Sequence, residues 1–206
     1  MTDVTPVADQ QVFRDVIGRF TSGVTVITTD VDGGRFGTTA SAFSSLSLEP
    51  PMVVATPLTV ELADQMFQAR CVIELGVADA AIGHIPDEDP TVLAGYASRL
   101  AEIVGEDSSS LTEFLEASHG YQRHFVGLGR SPQLSDTYQR LGISTLWREA
   151  IAKHDWRRKF DITHRAELTT ACREGDVARA RELISEHTQQ VRRLVRDVID
   201  EAGGAL

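Results

Sequence analysis

The hydrophobic pattern at the start of the chain predicts a short amphipathic helix. Apolar side chains recur at helical spacing through the segment 12–21, and the pair Ser22-Gly23 then ends the pattern. The apolar positions are Val12, Phe13, Val16, Ile17 and Phe20. A helix of this kind, with one apolar stripe, opens the fold.

From Val24 the pattern changes from helical to alternating, which predicts strands. The run VTVITT forms the first strand, the turn DVDGG follows it, and RFGTTASAF returns as the second strand. A third apolar run, PMVVATP, comes after Pro50. We therefore expect a three-stranded antiparallel sheet, whose free edges and half-covered face need a partner for stability.

Beyond Pro57 the apolar positions follow helical spacing to the end of the chain. Helices are predicted at about 60–82, 91–104, 109–128, 133–153, 156–174 and 177–202. Asp89-Pro90 starts the second of these helices, and Gly175-Asp176 combines a helix-ending glycine with an N-cap aspartate. The predicted fold class is α+β but predominantly α, with residues 1–57 as a sheet segment and residues 58–206 as a bundle of about six helices.

The charge and composition of the 206 residues restrict the classes of function. A formal net charge of −10 would repel a phosphate backbone, so nucleic acid is not expected as a partner of this chain alone. Neither a signal peptide nor a membrane span is predicted, because the chain lacks a long apolar run. Cys71 and Cys172 are too isolated for a zinc ribbon or a redox pair. We expect a cytoplasmic protein.

The segment 13–54 resembles the beginning of the flavin reductase-like, FMN-binding split-barrel family. The resemblance rests on the motifs GVTV, TASAF, SLS and Pro50-Pro51, and it extends through the segment without a gap. It implies a partial split barrel in which the TASAF strand lies along the flavin ring through its backbone and the following hydroxyls help to hold the FMN phosphate. The implied flavin contacts are Thr39, Ser41, Ala42, Ser45 and Ser47.

The physical chemistry of this strand agrees with the implied role. Small side chains let a backbone approach a flat ring, and hydroxyls with main-chain N–H groups can bind a phosphate. An ordinary Ser- and Thr-rich strand is the alternative. The later strands of the family's barrel, and its segment that brings NAD(P)H over the flavin, are not recognisable after Val54. We therefore expect FMN binding to be retained better than catalysis, and the catalytic residues stay unassigned.

The part of the chain after Leu58 resembles the all-helical FCD effector domain of GntR-type transcription regulators. The resemblance rests on FQARCVIELGVADAA, on SPQL, and most of all on ITHRAELTTACREGDVARARELISEH. It implies that Arg70, Gln122, His164 and His187 bind a small organic acid. For Arg70 a surface pair with Glu74, four residues later on the same helix, is an equal alternative.

The resemblance also implies a divalent metal site in many FCD domains, and here only part of that ligand set is present. His164 and His187 stand at the two later ligand positions, whereas Ser118 and Gln122 replace the first pair. Two imidazoles with a hydroxyl and an amide make a weak site for a metal. The alternative is that both histidines are pocket or core residues held by hydrogen bonds.

Together the two resemblances predict a flavin reductase-type NAD(P)H:FMN oxidoreductase that carries an effector-sensing FCD domain. Its implied partners are a small organic acid, a flavin-dependent monooxygenase component and a second copy of the chain, because a split barrel places FMN at a dimer interface. The alternative is a non-enzymatic, carboxylate-binding FCD module that lacks a DNA-binding domain. A third hypothesis, a non-functional deletion product, would show itself as aggregation through the unpaired sheet edge.

Overall fold

Three antiparallel strands precede six helices in the computed structural model, which describes residues 25–31, 34–48, 51–106, 110–141, 157, 162–201 and 203–204. The strands are β1 (Thr25–Val31), β2 (Gly34–Leu48) and β3 (Pro51–Pro57), hydrogen-bonded in the order β1-β2-β3. This is the antiparallel sheet that the alternating pattern predicts. The amphipathic helix predicted at 12–21 lies outside the described residues.

In the described sheet β1 pairs with the first half of β2 and β3 with the second half, so the two partner strands overlap only at Ala40. Thr25, the first residue of β1, pairs with Ala40, whereas β3 pairs with β2 as far as Leu48. Within the described strands, the stretch of β2 after Ala40 therefore has a partner on one side only. Two irregularities in the β2–β3 register fall in the same stretch, between Ala40 and Ala42 and between Ser45 and Ser47.

The described part of the chain after Pro57 is helical, as its pattern predicts. The helices are α1 (Val60–Ala81), α2 (Glu88–Gly105), α3 (Leu111–Gly127), α4 (Pro132–Arg140), α5 (Thr163–Glu174) and α6 (Val177–Glu201). The helix α2 begins at Glu88, so Pro90 lies in its first turn, but Asp89 does not cap it. Instead the Asp89 carboxylate is buried and pairs with Arg130 and His124 at the end of α3.

Local side-chain caps explain where several helices begin and end. The hydroxyl of Ser110 accepts a hydrogen bond from the backbone N–H of Glu113, whose carboxylate in turn accepts from the Ser110 N–H. Gly175 ends α5 with a φ of 71°, a left-handed conformation that favours glycine. The carboxylate of Asp176 then accepts from the N–H of Arg179 at the start of α6. The glycine–aspartate junction is therefore as predicted.

Three clusters of buried apolar side chains hold the bundle together. The main cluster joins all six described helices through large side chains such as Tyr121, Phe125 and Leu168. A second cluster packs the start of α1 against the end of α6, and a third packs the end of α2 against the start of α3. The two smaller clusters approach each other near Phe67 and Phe114, and the polar interior of the bundle lies between them.

Two further features bear on the sequence expectations. Cys172 is buried in the main cluster, and burial raises the pKa of its thiol to about 12, so it is an inert core side chain. Among the helices that the structure describes, none is both long enough and apolar enough to span a membrane.

Candidate functional site

A cavity of about 70 Å³ opens between α1, α3, α5 and α6, where the two smaller apolar clusters meet. A water molecule needs roughly 10–15 Å³ of such space, so the cavity can hold a small organic molecule. Its apolar wall consists of Phe67, Leu100, Phe114, Leu115, Ile162 and Val191. Its polar wall consists of Arg70, Glu74, Ser118, His119, Gln122, Arg165, His187 and Thr188. The cavity therefore suits a molecule with one apolar and one polar end.

The structure brings the effector residues predicted from the sequence together at this cavity. Arg70 on α1, Gln122 on α3 and His187 on α6 lie on its polar wall. The fourth, His164 on α5, lies directly behind His187, with ring centroids 4.2 Å apart and ring planes 16° from parallel. Ser118, which stands at a predicted metal-ligand position, also lines the cavity.

Arg70 points into the bundle and is held there by a network of hydrogen bonds. Its Nη2 donates to Oε1 of Gln122 at 2.7 Å and to the hydroxyl of Tyr138 at 2.6 Å. The guanidinium also lies 4.2 Å from the centre of the Tyr138 ring. Tyr138 in turn donates a hydrogen bond to the buried carboxylate of Glu74. Of the two alternatives for Arg70, the surface pair with Glu74 is wrong, because the two side chains are linked through Tyr138 inside the bundle.

Burial fixes the protonation of the tyrosine at the centre of this network. Desolvation raises the pKa of Tyr138 far above its usual value, and the negative charge of Glu74 raises it further. The hydroxyl therefore keeps its proton and donates it towards Glu74. The carboxylate of Glu74 balances the charge of Arg70 through this shared hydroxyl.

Arg165 is a cavity residue that the sequence reasoning missed. It is 6% exposed, its guanidinium lies 4.8 Å from the centre of the Tyr121 ring, and its Nη2 is 3.4 Å from Nε2 of His187. Its backbone carbonyl accepts hydrogen bonds from the hydroxyls of Tyr121 at 3.1 Å and Thr169 at 2.8 Å, which anchor this turn of α5. The residue stands next to His164 in the motif ITHRAELTT, and that position is the one sequence signal that could have identified it.

The environment of His187 keeps its imidazole neutral. Burial lowers its pKa well below 6.5, and the neighbouring charges of Arg165, His164 and Arg70 act in the same direction. A neutral ring has one nitrogen that accepts and one that donates. With Arg165 donating to Nε2, the N–H of His187 is on Nδ1.

The ligand set for a metal is not assembled at this cavity. Within the described residues, no three His, Cys, Asp or Glu side chains lie close enough together to hold a metal ion. The rings of His164 and His187 are stacked with planes 16° from parallel, so a single metal ion cannot lie in the plane of both rings, as a shared metal requires. The donors present at this point do not fit a divalent cation, and the metal role of the two histidines stays a prediction.

The five residues predicted to contact FMN lie on one strand of the sheet. Thr39, Ser41, Ala42, Ser45 and Ser47 all belong to β2. Four of them, from Ser41 onwards, lie in the stretch that β1 does not accompany, and both register irregularities occur there. Strand irregularities leave backbone N–H and C=O groups outside the regular ladder. A backbone with such groups fits the main-chain contacts that a flavin needs.

Comparisons with known proteins identify both parts of the chain. The FCD domain family matches residues 65–190, and the family described as flavin reductase like domain matches residues 17–81. The two matches overlap at 65–81, which lie within α1.

The similar curated proteins are flavin reductases. The chain is 33% identical over 136 residues to the reductase subunit HsaB of a flavin-dependent monooxygenase from Mycobacterium tuberculosis (strain ATCC 25618 / H37Rv), an alignment that covers 62% of this chain and 73% of that protein. It is 47% identical over 131 residues to the FMN reductase (NADH) SmoA from Agrobacterium fabrum, covering 52% of this chain and 75% of that protein.

Two similar solved structures share the fold of the helical part. E. coli McbR/YncC superimposes with a TM-score of 0.59 at 16% identity, over 70% of this chain and 69% of that one. A GntR family regulator from Pseudomonas syringae pv. tomato superimposes with a TM-score of 0.58 at 13% identity, over 73% of this chain and 63% of that one. At these identities the likeness shows the fold alone.

The six described helices define the class of the larger part as a helical bundle with a cavity inside it. The chain belongs to the FCD domain family, and its N-terminal part belongs to the flavin reductase-like family. Both resemblances drawn from the sequence motifs are therefore confirmed.

Proposed function

We propose that this chain joins an FMN-contacting segment of a flavin reductase to an FCD module that binds a small organic acid. The observation that carries the proposal is the cavity, which gathers Arg70, Gln122 and His187 on one wall and faces them with an apolar wall. A guanidinium and a neutral imidazole are suitable partners for a carboxylate. The apolar wall suits the hydrocarbon or aromatic body of the same molecule.

The proposed FMN site is the stretch of β2 that contains Ser41, Ala42, Ser45 and Ser47, with Thr39 just before it. Its support is that, among the described strands, β2 after Ala40 is paired on one side only, and that two register irregularities fall in that stretch. FMN, when bound, takes a hydride from NAD(P)H and supplies reduced flavin. The hydroxyls of this chain would hold the phosphate, and the strand backbone would support the ring.

The partners follow from the relatives. Because the similar proteins include a reductase subunit of a flavin-dependent monooxygenase, we propose that the reduced flavin is passed to a monooxygenase component. In this proposal the organic acid adjusts that supply, and residues 1–57 and 58–206 are the two working parts of the chain. A homodimer would complete the walls of the flavin site.

A second candidate function is a non-enzymatic, acid-binding FCD module. One observation favours it: the flavin reductase match ends at residue 81, and its last part forms α1, which packs on α6 as a member of the helical bundle. The sheet would then be a structural element or a surface for a partner. The two candidates share the acid site and differ only in what the N-terminal part does.

Two measurements on the purified full chain test these proposals. Titration with FMN should quench the flavin fluorescence, and NADH should be oxidised when FMN is added. Flavin fluorescence that stays unchanged at tens of micromolar protein would reject the FMN site and leave the non-enzymatic, acid-binding FCD module as the proposed function. Binding of FMN without NADH oxidation would reject only the enzyme.

A thermal-shift series with benzoate, phenylacetate and hexanoate tests the acid site. At least one of these acids should stabilise the chain, and Arg70→Ala, which breaks the hydrogen-bond network on the polar wall, should reduce the stabilisation. Arg99→Ala is the matched control, because Arg99 is an exposed arginine that pairs with Glu102 and Glu113 away from the cavity. If none of the three acids stabilises the wild-type chain, with or without zinc or nickel, the proposal of acid sensing is rejected.

A further inference from the structure

Arg165 is a buried cation for which the described part of the chain supplies no carboxylate partner. The residue is 94% buried, and its guanidinium contacts the ring of Tyr121 and the imidazole of His187. The partly exposed Arg192, by contrast, pairs directly with the carboxylate of Asp64. Arg165 lines the cavity, so an occupant of the cavity can reach it.

The energetic cost of burying the Arg165 guanidinium without a carboxylate indicates what kind of ligand the cavity binds. A charge removed from water without an opposite charge is strongly unfavourable, and the face of a tyrosine ring compensates only a small part of that loss. Folded proteins keep such groups where a ligand supplies the opposite charge, which is the usual design of an anion site. The buried guanidinium therefore predicts an anion in the cavity.

Arg70, by contrast, is already compensated. Its Nη2 donates to Gln122 and to Tyr138, and the hydroxyl of Tyr138 connects it to the carboxylate of Glu74. An anion that took Arg70 as its main partner would have to disturb this network. An anion that took Arg165 would complete an incomplete charge pair.

The same contacts remove the position that a metal would occupy. The Nη2 of Arg165 lies 3.4 Å from Nε2 of His187, where a metal would need that nitrogen's lone pair. The Oε1 of Gln122, at the second predicted ligand position, already accepts a hydrogen bond from Arg70. A cation placed beside the Arg165 guanidinium would also be repelled by it.

We propose that Arg165 binds the carboxylate of the cavity's ligand directly and without a metal ion. This rests on the proposed acid-sensing function and names how that site recognises its ligand. The positive charge that a metal would supply comes from the guanidinium of α5. The body of the acid then lies against the apolar wall at Phe67 and Phe114.

The test measures benzoate binding to the full chain by isothermal titration calorimetry, with benzamide as the uncharged analogue. We expect Arg165→Gln to raise the Kd for benzoate by about tenfold or more and to leave the weak binding of benzamide unchanged. Arg165→Lys should recover part of the affinity. Arg173→Gln, on the exposed side of the same helix, is the matched control and should bind benzoate as the wild type does.

The need for a metal is tested in the same titration. EDTA should leave the Kd for benzoate unchanged, and equilibrium dialysis against zinc should show no stoichiometric uptake. Benzoate binding that is lost in EDTA and restored by zinc would overturn the proposal while leaving acid sensing in place. Equal benzoate affinity in the wild type and Arg165→Gln would also overturn the proposal and leave acid sensing in place.

If Arg165→Gln folds poorly and its affinity cannot be measured, thermal unfolding without any ligand still tests the proposal. Because Arg165→Met removes an uncompensated charge, we expect its melting temperature to be equal to or higher than that of the wild type. Melting temperatures that fall in both Arg165→Met and Arg165→Lys would assign Arg165 a structural role and overturn the proposal. If neither benzoate, phenylacetate nor hexanoate binds the wild type, acid sensing itself is rejected, and this proposal with it.

Discussion

Arg70 and Tyr138, which are 68 residues apart in the sequence, are joined by a hydrogen bond of 2.6 Å between the guanidinium and the phenolic oxygen. Among the side chains of α4, Tyr138 is the buried one, so this contact and the bond from Tyr138 to Glu74 attach a short helix to the wall of the cavity. The position of α4 is therefore coupled to the charged network at the candidate site.

The first prediction concerns this attachment. Tyr138→Phe should lower the free energy of unfolding by about 1–3 kcal/mol, because it removes the donor to a buried carboxylate and the acceptor for Arg70. Urea unfolding followed by circular dichroism measures the change. Tyr96→Phe is the control: that ring is only partly buried, and we expect a change below about 0.5 kcal/mol. Equal changes in the two variants would contradict the network.

The second prediction is a loss of stability in mild acid that depends on His187. Because the folded state lowers the pKa of His187 below 6.5, the unfolded chain takes up this proton first as the pH falls. The stability is fully present above pH 6.5 and decreases below it, down to the folded pKa, by at most about 1.4 kcal/mol per pH unit. The charged groups that face the ring are Arg165 and Arg70, with His164 stacked on it.

Urea unfolding at pH 7.5 and at about pH 5.5 measures this slope. His187→Asn should flatten it, whereas His84→Asn, at an exposed position, should leave it as in the wild type. The carboxyl groups with lowered pKa values, such as Asp64, lose their contribution only below their ordinary value of 3.8 and therefore stay outside this window. A slope that is unchanged in His187→Asn would show that the ring is not held neutral.

The third prediction concerns the ion pairs that join α1 to α6. Asp64 accepts from Arg192 at 2.9 Å and from Arg196 at 2.8 Å, and the hydrogen bond from Arg192 is the main reason why the pKa of Asp64 is lowered. Asp64→Asn should cost about 1 kcal/mol of unfolding free energy, less at high salt, because the arginines are partly exposed. Asp79→Asn removes the pair with Arg181, in which both side chains are about half exposed and the carboxylate is more exposed than that of Asp64, and should cost less. A larger loss in Asp79→Asn would contradict this ranking.

The parts of the fold that were predictable from the sequence are those that depend on near neighbours. The Gly175-Asp176 junction and the change of pattern at Pro57 are local signals, and the structure has helices where they indicate. The FCD motif placed Arg70 and His187 at one site because it is a long, specific pattern.

What could not be predicted depends on distant pairs. Arg165 is buried because Tyr121, 44 residues earlier, lies under it, and Glu74 is buried because Tyr138, 64 residues later, donates to it. Spacing along one helix left a surface pair of Arg70 with Glu74 as an equal alternative to a ligand contact, but tertiary packing turns both side chains inward. No local pattern carries that information.

The last prediction concerns the close contact between α2 and α3. A methyl group added at Gly120 would overlap the ring of Tyr96, since the two helices approach each other there without a side chain on α3. Gly120→Ala should lower the free energy of unfolding by about 1–3 kcal/mol, even though alanine favours the helix, because the ring has to move. When Tyr96 is already alanine, adding Gly120→Ala should cost little further stability, because the ring that the methyl group would meet is gone.

Gly127→Ala is the control. It lies on the same helix with open space at its Cβ, and it should be neutral or stabilise by up to about 1 kcal/mol. If Gly120→Ala is as stable as Gly127→Ala, the two helices do not pack through this glycine.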